Sequence, residues 1–337
     1  MILYLLIIVS VIALLFASVT PRLDSVMAWI VGFILALCAG LFTEGYDYEQ
    51  YVLMIESVRN LGDEDLTLRL FAAKDPLFLL IIEFTGALTD DIQLVFLVVA
   101  IFSCLTKVLA TSVIPGKRTL FMALYAIFIA PGLEFAAIRA GLAIGLTMMG
   151  YLAIQRWPWT IWWVSLGFAS HMSVILVTIG RILARYWRVL LLCLVLVIPV
   201  INFNFSVLID DDPRYVHYLD NQGTIFAFGL PALTFITLLL MHISINGNHI
   251  KPHALLADDW LRTTYFMISV SLVLTIPIVT AATRVMELAW VILTLQMIAR
   301  DSQLQCKAQI VRFVSWATLV GLLSWANLVR GTWAILI

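Results

Sequence analysis

The stretch from Glu134 to His171 opens with the residues Glu134-Phe-Ala-Ala-Ile-Arg139-Ala-Gly141-Leu-Ala-Ile-Gly145-Leu-Thr-Met-Met-Gly150. Its apolar pattern predicts a helix from Phe135 to Gly150 that carries one permanent charge, the guanidinium of Arg139. Arginine does not lose its proton in a low dielectric, so a buried one is expected to face a polar cavity, a counter-charge or an anionic ligand. Gly141 and Gly145 form a small-xxx-small pair, which lets a neighbouring helix approach closely. We expect this stretch to form the floor of a site.

Lipid is the predicted solvent for the rest of the chain. The 337 residues are 63% hydrophobic and 12% charged, whereas soluble proteins average roughly 45–50% apolar and 25% charged residues. One water-soluble core cannot hide this excess, so the composition predicts an all-α polytopic integral membrane protein. The formal net charge of −1 gives no electrostatic reason to expect nucleic acid as a partner.

The apolar runs predict about ten to twelve transmembrane or re-entrant helices within a single domain over residues 1–337. They lie at 2–19, 26–42, 92–114, 119–133, 135–154, 158–180, 189–203, 224–245, 263–282, 285–299 and 311–329. A bilayer core of about 30 Å needs roughly 17–25 helical residues. The shorter run at 77–88 is therefore expected to lie at the interface or to dip in and return.

Two acidic loops and several basic clusters predict the orientation. The loops cover about residues 43–76 and 204–223, and the basic clusters lie at 117–118, 156, 181–188 and 307–312. The positive-inside rule makes the clusters cytoplasmic and the loops external. A single span over 158–180 would put Arg156 and the cluster at 181–188 on opposite faces of the membrane. Either residues 157–183 form a re-entrant hairpin with His171 near its tip, or they contain a plain span with imperfect charge bias.

Two arginines are candidates for binding an anion. A guanidinium matches the oxygens of phosphate or pyrophosphate bidentately, so Arg139 is expected to hold such a group. The alternatives are a structural ion pair, with Glu134 as one partner, and an arginine that reaches the interface from near a helix end. Arg284 is expected to begin a helix, where it is either a second phosphate clamp or the partner of Glu287 in a helical salt bridge.

His171 is the candidate for proton transfer. A neutral imidazole could act as general base on a hydroxyl while Arg139 holds the leaving group. The alternative is a core histidine whose hydrogen bonds are satisfied within the protein.

The first acidic loop carries carboxylates among tyrosines, including Asp47, Tyr48 and Tyr51. Aromatic rings stack on the apolar faces of sugars and carboxylates accept from their hydroxyls, which predicts glycan binding. The alternative is an interfacial aromatic belt beside a solvated acidic loop. Further along, the segment Lys74-Asp75-Pro76 predicts a helix with proline at its first position and Asp75 as the cap.

No metal site and no cofactor are predicted. Three adjacent aspartates, Asp210 to Asp212, are typical of a solvated turn, and Pro252 interrupts the helix that His249 and His253 would need to bind a metal together.

Several short motifs together resemble the bacterial Wzy-type polysaccharide polymerases, in particular the EpsG-like branch. The residues that carry the resemblance are Asp47, Tyr48 and Tyr51; Asp75, Pro76, Phe78 and Leu79; Ile138, Arg139 and Ala143; Ala169, Ser170, His171 and Ser173; Tyr215, Tyr218 and Leu219; and Arg284.

The resemblance implies a GT-C-like membrane glycosyltransferase of O-antigen, capsule or exopolysaccharide synthesis, in the bacterial inner membrane with a site that faces the periplasm. Its substrates would be undecaprenyl-pyrophosphate-linked oligosaccharide and the growing polymer, and its partners membrane lipid, a flippase and a chain-length regulator. The catalytic residues would be His171, Arg139 and Asp47. The substrate-binding residues would be Arg284, Lys74, Asp75, Tyr48, Tyr51, Arg214 and Tyr218.

Other classes of function remain open on the sequence. An O-antigen ligase would use the same donor with a different acceptor. A membrane acyltransferase fits the length, but the sequence has neither a second histidine nor a paired basic motif of the kind that is suited to acyl-CoA. In a transporter of glycan or lipid-linked glycan, Arg139, His171 and Arg284 would line an anion pathway.

Overall fold

The computed structural model describes residues 2–44, 47–61, 66–154, 157–183, 186, 259–274 and 279–301. These ranges are helical and contain no strand, as the composition predicts. They fall into two compact units, with the first ending at Ile175 and the second beginning at Leu176. The single-domain organisation stays a prediction, and each unit is described by itself.

The described part of the first unit contains ten helices and the start of another. They are α1 (Ile2–Val19), α2 (Asp24–Gly40), α3 (Tyr48–Asn60), α4 (Leu66–Ala73), α5 (Pro76–Gly86), α6 (Gln93–Ala110), α7 (Arg118–Leu124), α8 (Ala130–Leu133), α9 (Ile138–Met148), α10 (Trp157–Ser170) and α11 (Val174–Leu183), which continues into the second unit. Short 3₁₀ turns cover Pro21–Leu23 and Thr111–Val113, and π-helical segments cover Tyr125–Ile129 and Met149–Ile154.

Three helical stretches among the described residues are long and apolar enough to cross a bilayer: Ile2–Val19, Pro21–Gly40 and Gln93–Val113. They coincide with the predicted runs 2–19, 26–42 and 92–114. Helix α5 has 11 residues, about 16 Å at 1.5 Å per residue, which is too short to cross. The predicted runs 189–203, 224–245 and 311–329 lie outside the described residues, so the total of ten to twelve stays a prediction.

Polar contacts at the helix ends fix how the first unit packs. Asp24, the first residue of α2, accepts hydrogen bonds from the backbone N–H groups of Arg118 and Thr119, each at 3.0 Å, and so caps α7. At the other end of α2, the side chain of Gln93 donates to the carbonyl of Gly40. Helices α2 and α6 are therefore antiparallel, and the basic Lys117–Arg118 cluster lies at the end opposite to the first acidic loop.

Helices α6 and α9 are parallel and lie in close contact. A Cβ added to Gly145 would meet Thr106 Oγ1 at 2.3 Å and the backbone oxygen of Ser103 at 3.0 Å. A Cβ added to Gly141 would meet the carboxylate of Glu134 at 2.9 Å. The glycine pair thus permits the close approach that its spacing predicts, and Gly141 also makes room for a buried charge.

The predicted helix from Phe135 to Gly150 begins later than expected. Residues 134–137 form a turn between α8 and α9, so the helix starts at Ile138 and Arg139 lies in its first turn. The side chain of Glu134 is directed towards α6, and the chain reverses direction around it. Sequence periodicity misses this turn because Phe135, Ala136 and Ala137 are as apolar as the helix that follows.

The first acidic loop is also more ordered than predicted. Most of its residues form α3 and α4, and the charged side chains of Glu49, Glu56, Arg59 and Arg69 lie on these two helices. The loop at 204–223 lies outside the described residues.

The second unit contains most of α11 together with α12 (Asp259–Leu274) and α13 (Val279–Asp301), and the last two pack against each other. The predicted boundary between the runs 263–282 and 285–299 is wrong, because α13 continues through it. Arg284 therefore does not begin a helix but lies within one. The two predicted runs are separated at the charged Arg284, but one charged side chain does not end a helix as a proline does.

We expect Gly145→Ala to destabilise the protein by about 1–3 kcal/mol, because the added methyl group would overlap atoms of α6. Thermal unfolding in detergent micelles would measure the loss. Gly86→Ala is the matched control, since its Cβ would meet only Arg59 Nε, at 3.8 Å. Equal stability of the two variants would contradict close packing of α6 and α9.

Candidate functional site

The guanidinium of Arg139 is paired with Asp75, which precedes α5. Arg139 Nη1 donates to Asp75 Oδ2 and also lies 3.4 Å from the backbone oxygen of Ala73. The sequence alternative that paired Arg139 with Glu134 is wrong, because Glu134 binds a different cation. Both side chains of the observed pair are 11% exposed, so the pair lies at the edge of the helices and is not sealed within them.

Aromatic rings enclose this ion pair. The Arg139 guanidinium carbon lies 5.1 Å from the ring centroid of Tyr51 on α3 and 5.4 Å from that of Phe78 on α5. These are cation–π distances, which favour a guanidinium in a partly dry site. Tyr51 in turn contacts Phe96, on which Tyr48 stacks with ring centroids 4.8 Å apart. Three predicted site residues, Tyr48, Tyr51 and Arg139, thus belong to one aromatic cluster.

The backbone turn before α5 directs the side chain of Asp75 towards Arg139. Pro76 occupies the first turn of α5 and Asp75 the cap position, as predicted. However, the Asp75 side chain makes no capping hydrogen bond and is directed to Arg139. Lys74 has a φ of 64°, a left-handed conformation that costs a non-glycine residue about 1 kcal/mol or more. This strained turn places the carboxylate on the guanidinium.

Burial and charge act in opposite directions on Asp75, which lies outside the membrane-spanning stretches. The pKa of its carboxyl is raised from 3.8 to about 6, because burial raises the pKa by more than the attraction of Arg139, and after it that of Lys74, lowers it. Asp47 adds a longer-range attraction for the Arg139 guanidinium. The structure therefore connects five predicted residues through electrostatic or ring contacts with Arg139 or Asp75: Asp47, Tyr51, Lys74, Asp75 and Arg139.

A second ion pair lies deeper in the first unit. Lys107 Nζ on α6 is 2.8 Å from Glu134 Oε1, and both side chains are completely buried. The ammonium also donates to Ser103 Oγ at 2.7 Å and to the carbonyl of Gly141 at 2.6 Å. Glu134 Oε1 accepts in addition from the hydroxyl groups of Tyr125 at 2.5 Å and of Ser103 at 3.0 Å. This network ties α6, the π-helical segment and the first turn of α9 together.

Lys107 is the important residue that our sequence reasoning missed. It is the only charged residue in the predicted run 92–114. Like Arg139, this ionisable side chain at membrane depth needs a counter-charge. Glu134, the acidic residue that opens the decisive stretch, is that partner.

His171 lies where the predicted span 158–180 is interrupted. Residues 171–173 separate α10 from α11, so a single unbroken helix is excluded, and the break falls where the hairpin alternative put its tip. The imidazole Nδ1 lies 2.8 Å from Ser173 Oγ and 3.2 Å from the backbone nitrogen of Ser173, which donates to it. Nδ1 of His171 is thus hydrogen-bonded to Ser173 within the same turn.

The remaining predicted site residues lie in the second unit or outside the described ranges. Arg284 Nη1 is 3.0 Å from Glu287 Oε2, so the predicted helical salt bridge is present. Arg214 and Tyr218 lie outside the described residues, and so do the aspartates 210–212 and both histidines, 249 and 253. Among the residues that are described, no group of three or more histidine, cysteine, aspartate or glutamate side chains could hold a metal ion.

Comparison with protein families decides the class of this molecule. The family model described as the EpsG family matches residues 25–329. The chain belongs to the EpsG family. Comparison with curated proteins and with solved structures gives no match.

Membership in the EpsG family confirms the resemblance that the short motifs indicate. It identifies a membrane protein of polysaccharide biosynthesis with a glycosyltransferase-like polymerase activity. The match extends from the second residue of α2 beyond the end of α13, and so covers Asp47, Tyr51, Lys74, Asp75 and Arg139. The roles of the individual residues stay predictions.

We expect Lys107→Met to destabilise this EpsG-family protein by about 3–5 kcal/mol, because the Glu134 carboxylate would remain buried without its cation. The double variant Lys107→Met/Glu134→Gln should recover part of the loss. Unfolding in detergent, analysed as a double-mutant cycle, measures the coupling. Additive losses would show that the two side chains do not interact.

Asp75 should make stability depend on pH in a defined direction. Its pKa in the folded protein, about 6, lies above its ordinary value of 3.8, so the folded state binds a proton first. Stability should therefore rise as the pH falls through about 6 and level off below 3.8. The slope should disappear in Asp75→Asn when unfolding is measured across this range. A slope that survives in the variant would assign the titration to another group.

Proposed function

We propose that this protein polymerises lipid-linked oligosaccharide repeat units at the periplasmic face of the bacterial inner membrane. The growing glycan would leave its undecaprenyl pyrophosphate and be transferred to the non-reducing end of a newly flipped, lipid-linked unit. Membership in the EpsG family supports the polymerase class. The positive-inside rule supports the orientation, since Lys117 and Arg118 lie at the end of the helices opposite to Asp75 and Arg139.

The proposal depends above all on the Arg139 guanidinium, which keeps a hydrogen-bond donor available and is partly exposed. Its Nε has no hydrogen-bond partner among the described residues, and its side chain retains 11% exposure. Lys107, by contrast, is completely buried and bonded to three groups within the protein. Of these two cations, Arg139 is the one with a donor to spare for a ligand.

The location of Arg139 also favours an anionic ligand. A cation in the first turn of a helix lies next to the positive end of the helix dipole, which raises the need for negative charge there. Asp75 supplies one such charge in the structure. A diphosphate would supply more, and a guanidinium fork can hold two of its oxygens at once. Tyr48 and Tyr51 would then face the sugars next to the diphosphate.

The proposed reaction breaks the bond between the anomeric carbon of the donor glycan and the diphosphate oxygen. A new bond forms between that carbon and the acceptor hydroxyl, whose proton passes to His171 or Asp47 as general base. The diphosphate departs as an anion, and Arg139 stabilises the charge that develops on it. Arg284 is the candidate for a second contact to the donor.

A reconstituted assay separates this function from its alternatives. Lipid-linked repeat unit is supplied to the purified protein in detergent, and the products are resolved by size. A ladder of longer glycans identifies a polymerase, whereas one transfer to added lipid A core identifies a ligase. Uptake into vesicles of a glycan that stays unchanged would identify a transporter. Activity that survives full chelation supports the absence of a metal cofactor, and loss reversed only by a divalent ion would contradict it.

We expect Arg139→Lys to reduce polymer formation by roughly 10²–10³-fold, because the ammonium cannot replace a bidentate fork at the developing charge. Initial rates in the reconstituted assay measure the effect. Arg22→Lys, at an exposed site at the other end of the helices, is the matched control and should retain wild-type activity. A fully active Arg139→Lys enzyme would rule out the phosphate clamp.

A further inference from the structure

Arg59, in the last turn of α3, differs from the paired cations of the first unit. Arg69, Lys107 and Arg139 each form an ion pair with a carboxylate. Arg59 Nη1 instead donates to the backbone oxygen of Asp90 at 2.6 Å, and the side chain forms no ion pair with any residue that the structure describes. A carbonyl group carries no net charge, so the positive charge of Arg59 is not compensated there.

Two donors of the same guanidinium are unused. Nε and Nη2 of Arg59 are shielded from solvent and have no hydrogen-bond partner within the described part of the chain. Leaving charged donors buried and unpaired is costly, so such groups point to a partner that is not part of the chain itself. Nε and one terminal nitrogen of a guanidinium form a fork that can hold two oxygens of one anion.

Gly86, the last residue of α5, leaves space beside this fork. A Cβ added to Gly86 would meet one described atom within 4 Å, which is Arg59 Nε at 3.8 Å. Gly86 is exposed and Arg59 is half-buried, so the fork lies just beneath the surface and no side chain at position 86 covers it. One turn earlier on α5, Glu83 binds Arg69, whose Nε is also unpaired among the described residues.

The Arg59 fork is separate from the Arg139 cluster. Asp75, the partner of Arg139, precedes the first residue of α5, whereas Arg59 lies beside the last. The 11 residues of α5 separate the two positions by about 16 Å along the helix. A ligand on Arg59 therefore does not compete with one on Arg139.

The surroundings of the fork indicate a lipid as its occupant. Leu80 and Phe84 on α5 and Leu88 just after it follow each other at four-residue spacing, and they are 63%, 61% and 65% exposed. Asp90, which anchors Arg59, lies three residues before the helical stretch Gln93–Val113, which is long enough to cross a bilayer. The end of a span lies at the depth of lipid headgroups, and exposed apolar side chains there are stable against acyl chains.

We propose that Arg59 binds the phosphate group of an anionic membrane lipid. Nε and Nη2 each donate to one phosphate oxygen, and the phosphate supplies the negative charge that the carbonyl of Asp90 does not. The acyl chains lie along the exposed apolar side chains of α5. The bond from Nη1 to Asp90 holds the guanidinium in place, so the fork is oriented before the lipid arrives.

Lipid titration tests the fork. Delipidated full-length protein in a neutral detergent is titrated with phosphatidylglycerol, and native mass spectrometry gives the dissociation constant of the first bound lipid. We expect Arg59→Lys to weaken binding by roughly 10–100-fold, because lysine keeps the charge but cannot offer a bidentate fork. Arg22→Lys, at an exposed site at the other end of the helices, is the matched control and should bind as wild type does.

A second variant leaves the guanidinium and its bond to Asp90 in place. Gly86→Leu would cover Nε, and it should fold because its Cβ meets no described atom closer than 3.8 Å. We expect it to weaken phosphatidylglycerol binding as Arg59→Lys does. Unchanged binding in both variants would show that water fills the fork and would overturn the site.

Inorganic phosphate distinguishes a lipid from a free anion. It offers the same oxygens without acyl chains, so we expect it to bind the wild-type protein more weakly than phosphatidylglycerol does. Equal affinity for the two would overturn the assignment to a lipid. None of these measurements needs polymer formation, so their outcome is independent of the proposed function.

Discussion

The buried ion pair between Lys107 and Glu134 is the constraint on which the first unit depends. Neither charge has access to solvent, and an ionised side chain at this depth is tolerated only when its charge is paired within the protein. The pairing forces the chain to turn at residues 134–137 and directs the ammonium to the carbonyl of Gly141. The start of α9, and with it the position of Arg139, follows from that turn. Gly145 completes the arrangement, because only a residue without a side chain lets α9 come so close to α6.

The Lys107–Glu134 and Arg139–Asp75 ion pairs differ in their exposure and in how completely their polar groups are engaged. Lys107 and Glu134 are sealed from solvent and form a network with hydroxyl and carbonyl groups, which is typical of a structural element. Arg139 and Asp75 lie at the edge of the helices, where aromatic rings shield the guanidinium and one of its donors remains unused within the described part of the chain. Burial raises the pKa of Asp75 to about 6, so its carboxylate is a weaker counter-charge than a fully solvated one. A ligand with a higher charge density than a carboxylate can compete for such a guanidinium.

Interruptions of helical structure occur next to the polar groups of this site. The turn at residues 134–137 precedes Arg139, the left-handed Lys74 precedes Asp75, and the break at residues 171–173 holds His171. Each interruption sets the direction of a side chain that a regular helix would point elsewhere. All of them lie in the first unit, at the end away from Lys117 and Arg118. The regular helices supply the apolar surface that we expect to face lipid, and the irregular backbone positions the polar side chains that we propose to act in catalysis.

The amino-acid sequence by itself determined the membrane class, the spans near the N-terminus and the need of Arg139 for a counter-charge, because these follow from local composition and from the cost of burying a charge. It also indicated the first turn of α5 from Pro76 and the close helix contact from Gly145. Only the tertiary structure decided that Asp75, 64 residues away, pairs with Arg139, while nearby Glu134 pairs with Lys107. A charge requires a partner wherever it is buried, but the identity of that partner depends on which helix ends meet.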